Sequence, residues 1–127
     1  MSYKPNCGVV ALAATTGYTI EDITAYFKPM KGRGWKGVLH WQELRAFVYG
    51  KVGPRCWKTI SVPRGSTLKK IVEEYTATST QQGYVIRVGG HFVAVIKGEV
   101  TDQFETKPVA EHWAANKRVS HAARIDL

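Results

Sequence analysis

Gly90-His91-Phe92-Val93-Ala94-Val95-Ile96-Lys97-Gly98-Glu99-Val100-Thr101-Asp102 reads as a β-hairpin. β-Branched and aromatic residues fill both arms, and Lys97-Gly98 supplies a turn pair. With a two-residue loop, Ile96 pairs with Glu99, Val95 faces Val100 and Val93 faces Asp102. Side chains alternate along a strand, so His91, Val93 and Val95 share one face with Asp102. Asp102 becomes the diagonal neighbour of His91, where a carboxylate can accept the imidazole N–H and set its tautomer. A three-residue loop would move Asp102 to the opposite face. The turn decides the site.

Working outward, Tyr84–Val88 is predicted to be the strand before the hairpin, after a polar loop over 76–83. A short helix is expected over Val109–Ala115, and the alternation of Val119, His121, Ala123, Ile125 and Leu127 suits a half-buried last strand. The first half reads as helical. Asn6 is a good N-cap for a helix over Cys7–Thr15, apolar nearly all round, that Gly17 ends. Thr19 with Asp22 caps a second helix, with Ile20, Ile23 and Phe27 on one face, that should stop near Pro29. A third is predicted from Leu39 to Tyr49, stopped by Gly50, then a strand over Trp57–Val62 and a turn at Pro63-Arg64-Gly65. Ser66 or Thr67 should cap a fourth helix carrying Leu68, Ile71, Val72 and Tyr75. Helices first and an antiparallel sheet second argue for an α+β fold.

The chain has 127 residues, enough for one core, and 44% hydrophobic with 22% charged content excludes wholesale disorder. The longest apolar run, Val9–Ala14, is too short to span a bilayer, and no basic-then-apolar leader opens the chain. Cys7 and Cys56 cannot build a disulfide framework, and no CxxC pair calls for a metal. A reduced compartment is the expectation, with no cofactor and no metal.

Charge is concentrated. Lys and Arg outnumber Asp and Glu by 18 to 10, a net of +8. Residues 28–70 hold eleven Lys or Arg against Glu43 alone, a net of +10, while each flank nets −1. Within this segment Met30–Val38 is a basic, glycine-rich loop whose spacing is wrong for a P-loop. Lys31, Arg33, Trp35, Lys36, Arg55 and Lys58 are the candidate contacts to an acidic partner or nucleic acid, and Trp35, Trp41 and Trp57 among the cations suit base stacking. The plain alternative is a solvated basic face with its tryptophans partly buried.

Cys7 falls in the first turn of its helix, where free N–H groups and the helix dipole stabilise a thiolate. With His91 as base and Asp102 as orienter, the chain carries the minimal equipment for acyl transfer. Cys56, His40, His112 and His121 read as surface or packing residues.

Asn6-Cys7-Gly8-Val9-Val10-Ala11-Leu12-Ala13 is similar to the nucleophile helix of the papain-like cysteine hydrolases, and Gly90-His91-Phe92-Val93-Ala94-Val95 to their histidine strand. The compact branch that includes C39-type bacteriocin-processing peptidases and NlpC/P60-type amidases is the nearest likeness, including small phage-encoded proteins with a basic glycine-rich insertion. The resemblance covers the whole chain in element order and about twenty residues in motif. It implies Cys7 as nucleophile, His91 as general base and acid, and Asp102 as orienting residue. One departure stands out: no glutamine precedes Cys7. The oxyanion would then rely on the Cys7 N–H and on the Asn6 side chain, provided Asn6 does not cap the helix.

The expectation is therefore one papain-like α+β domain over residues 1–127, with its insertion around 28–38. Its expected activity is hydrolysis of an amide or isopeptide bond by Cys7, His91 and Asp102, on an acidic protein or peptide substrate. The alternative is a catalytically inactive phage accessory or virion protein of the same fold, binding an acidic partner or nucleic acid through its basic middle segment. Both place the chain in a bacterial host cytoplasm or a virion, away from membranes. A third reading, a plain nucleic-acid binder, predicts binding that falls steeply with salt.

Overall fold

The computed structural model describes residues 6–76 and 83–127. Among the described residues, four α-helices, α1 (Cys7–Thr16), α2 (Ile20–Lys31), α3 (Trp41–Phe47) and α4 (Leu68–Ile71), accompany six strands. The strands are β1 (Trp57–Ile60), β2 (Gly83–Val88), β3 (His91–Ile96), β4 (Glu99–Thr101), β5 (Thr106–Pro108) and β6 (Val119–Ile125). They form one antiparallel sheet in the order β1-β6-β2-β3-β4-β5. The fold is α+β.

The hairpin has the expected register: Ile96 pairs with Glu99 and Val95 with Val100 across a two-residue turn in which Lys97 and Gly98 both have positive φ. Two positive φ values match the twist of the flanking strands. Alternation then sorts side chains into two layers. Val85, Phe92, Ala94, Ala123 and Ile125 pack with residues of α1, α2 and α3. Ile86, Val88, Val93, Val95, Val100 and Ala122 pack with Leu68, Ile71 and Val72, and with Val109 and Ala114. Cys7 lies against the first layer.

Local chemistry explains the helix ends. The Gly17 N–H donates to the Ala13 carbonyl from a left-handed φ of 83°, closing α1. Thr19 accepts the Asp22 N–H, as expected. Asn6 does not cap α1 with its side chain, contrary to expectation. α2 runs past Pro29 because the proline sits in the last turn, where its missing N–H costs a single bond and Gly32 still closes on Lys28. α3 starts two residues later than predicted, where the His40 N–H donates to Glu43 Oε1 and the Glu43 N–H to the His40 carbonyl. It continues through Gly50 as a π-turn, Val48–Val52, and Gly53 closes it instead. Thr67, not Ser66, caps α4, which widens into a second π-turn over Val72–Thr76. Tyr75 and the loop positions 77–82 lie outside the described side chains.

Three differences gather near the chain's end. β4 stops at Thr101 because Asp102 Oδ1 accepts the backbone N–H groups of Phe104 and Glu105 and turns the chain. The extra edge strand β5 follows, unannounced by any apolar alternation. The helix expected over 109–115 is one 3-10 turn, Val109–Glu111, followed by tight turns. No described helix is long and apolar enough to cross a membrane.

Candidate functional site

Cys7 is the first residue of α1 and a half-buried free thiol. The start of α1 lies over the start of β3: a Cβ built on Gly8 would stand 3.3 Å from the Phe92 ring. Cys7 and His91, the residues before each, flank that contact. His91, however, continues the Val93–Val95 row towards the other layer, and its ring meets Trp113 edge-on, with centroids 5.2 Å apart. Among the described residues no hydrogen bond joins His91 to Cys7 or to Asp102.

Asp102 is buried and engaged elsewhere. Oδ1 accepts the Phe104 and Glu105 N–H groups, both at 2.8 Å, and Oδ2 accepts the Trp113 indole N–H at 2.6 Å. His112 Nε2 lies 2.9 Å from the same Oδ2. The tautomer follows from the backbone. The Ala114 N–H donates to His112 Nδ1 at 3.1 Å, so the ring proton sits on Nε2 and points at the carboxylate. Burial raises the Asp102 pKa, but the indole, the two amides and His112 outweigh it and hold the carboxyl below the usual range. The acid expected to orient His91 orients His112 instead and reaches His91 only through Trp113. The two-residue turn placed Asp102 on the expected face, and its Asx turn then bent the chain so that residues 112 and 113 meet it first.

The basic segment resolves into separate roles. Lys31 is spent on Glu43, at 2.7 and 2.6 Å to its two oxygens. Burial raises the Glu43 pKa, but Lys31 and the His40 N–H prevail and hold it low. Arg55 is exposed in the turn before β1, and Lys58 is exposed on β1 itself. Arg33 and Lys36 line a cavity of about 310 Å³ with Lys28, Trp35, Thr24 and Asn6. No carboxylate lines it, and among the described residues none of its three cations has an ion-pair partner. Asn6 Oδ1 is buried without a hydrogen-bond partner there. Lys28 was not singled out in the sequence. Its signal is spacing, since Thr24 and Lys28 stand four apart on one face of α2.

Trp35 and Trp57 are not free stacking platforms. The Trp35 indole N–H donates to the Val38 carbonyl at 2.7 Å and its ring packs towards Phe27. Trp57 is buried, and Trp41 stacks on Phe92 with centroids 6.2 Å apart. Trp35 and Trp57 thus serve the core's apolar packing, while Trp41 stays half-buried.

What remains is a concave, cationic, acid-free cavity beside the N-terminus of α1, suited to an anionic group. Comparison with family models, curated proteins and solved structures found no match for the chain. The described residues hold no group of three or more His, Cys, Asp or Glu arranged to bind a metal.

Proposed function

We propose that this chain is a binding module for an acidic peptide segment, built on a papain-like arrangement. The observation that carries it is the cavity in which Lys28, Arg33 and Lys36 converge with no acid among its lining residues. A single concave cavity of this size receives a carboxylate side chain, whereas a nucleic-acid strand needs a track of cations and open aromatic faces. The papain-like reading rests on a helix opened by Cys7 and laid on an antiparallel sheet in which His91 opens a strand.

The test is fluorescence anisotropy with a labelled Glu-rich peptide, its Gln-substituted counterpart and a single-stranded oligonucleotide. Exposed charge pairs contribute on the order of 0.5 kcal/mol each, so removing three weakens binding about tenfold. We expect that loss in the triple variant Lys28→Ala, Arg33→Ala, Lys36→Ala, and none in Lys58→Ala. Equal binding of the Gln peptide, preference for the oligonucleotide, or an unaffected triple variant would overturn the proposal.

A second reading, hydrolysis at Cys7, is favoured by one specific observation. Asn6 makes no cap bond, so its amide remains available to a developing oxyanion next to Cys7. The Cys7 thiolate would attack an amide carbonyl, and His91, once turned from Trp113 towards α1, would protonate the leaving amine and then serve as base for the water that releases the acyl group. Alkylation rates against pH decide it. Ordinary thiols titrate near about pH 8.5. Reaction well below that pH, lost in His91→Ala, supports hydrolysis, whereas labelling only on unfolding makes Cys7 a packing residue.

A further inference from the structure

A second cleft, of about 360 Å³, opens at the other side of the 38–42 segment. Its floor is a row across three strands: Phe92 on β3 and His121 on β6 both pair with Arg87 on β2. Trp41 covers that row, stacked on Phe92 and 5.1 Å from the His121 ring. The row owes its shape to a bulge. Arg87 pairs with His121 and Val88 with Val119, so Ser120 is the extra residue. Its Oγ accepts from Arg87 Nη1 at 3.0 Å and lies 2.9 Å from His121 Nδ1, which ties both side chains to one pivot. Arg87 is half-buried with no carboxylate partner among the described residues, and no acid lines the cleft. Gly90, at its mouth, has open space where a side chain would stand.

A half-buried guanidinium held in place but left without a counter-ion is preorganised for a planar or tetrahedral oxyanion. We infer that this cleft binds an oxyanion, the phosphate or carboxylate group of a ligand whose flat apolar body lies against Trp41. Arg87 and His121 hold the anion, and the half-buried Trp41 ring receives the body. The inference uses none of the cations of the basic cavity and stands apart from it.

Titration of the isotope-labelled protein with phenyl phosphate, benzoate and inorganic phosphate tests it, read at the Trp41 indole N–H and the Arg87 side-chain N–H. Saturable shifts at both groups are expected, with phenyl phosphate about tenfold tighter than inorganic phosphate because of ring stacking. Phenyl phosphate ahead of benzoate identifies a phosphate ligand, and the reverse a carboxylate. Arg87→Gln should weaken binding at least about tenfold, while Lys58→Ala changes nothing. If Arg87→Gln does not fold, Arg87→Lys, which keeps the charge and loses the fork, serves in its place. No saturation with any probe, shifts confined to other residues, or full binding by the Arg87 variants overturns the inference.

Discussion

His112 carries more of this molecule than its place in the sequence suggests. It is buried between two loops, accepts the Ala114 N–H on one nitrogen and donates to Asp102 from the other. Removing it leaves Asp102 buried with one of its four hydrogen bonds missing. Leaving a buried acceptor short of one partner costs about 1–3 kcal/mol, and His112→Ala should lose that much in urea unfolding. The pH dependence has a definite sign. Asp102 has a folded pKa below its unfolded value, so its contribution is complete above the ordinary carboxylate range and is lost as pH falls through the lower folded value. Asp102→Asn should therefore be less stable than the parent at neutral pH, and the two should converge in acid. A constant difference at all pH values would show that the charge of Asp102 contributes nothing.

At the scale of elements, the contact between α1 and β3 sets the geometry near Cys7. Gly8 allows it: an added Cβ would meet Leu39 Cβ at 3.2 Å, and Leu44 Cδ1 and Phe92 Cδ2 at 3.3 Å. Alanine gains up to about 1 kcal/mol of helix propensity, which offsets part of that crowding. A larger residue has no such compensation. Gly8→Leu should lose about 1–3 kcal/mol in chemical denaturation, with α1 pushed off the sheet. A neutral result would mean that α1 tilts freely, and Cys7 with it. The hairpin was legible from its two strand arms and Lys97-Gly98, and of its two candidate registers the structure adopts the one with a two-residue turn. The helix over 109–115 was not, because Asp102 and its two loop partners outweigh a weak local preference.

At the scale of the whole molecule, the charge excess of residues 28–70 survives folding only in part as available charge. Lys31 is neutralised by Glu43, while Lys28, Arg33 and Lys36 gather from a helix and a loop around one cavity. Binding that rests on these three should weaken as ionic strength shortens the screening length from about 10 Å at 0.1 M to about 3 Å at 1 M. Anisotropy titrations of the Glu-rich peptide across that range should show a loss of at least about tenfold. Salt-independent affinity would point to apolar contacts instead.

The sequence by itself determined the α+β order and the helix caps at Thr19 and Gly17, and it tied the hairpin register and the face shared by His91 and Asp102 to the length of one turn. Each depends on residues within a few positions of one another, through alternation, turn chemistry or capping. Tertiary structure alone decided which partners those groups meet. Asp102 pairs with His112 rather than His91, Lys28 joins Arg33, and Arg87 lines up with His121. These pairings join segments brought together by the packing of two layers against one sheet. No local periodicity carries that information, because a buried acid takes whichever donors the folded chain delivers to it.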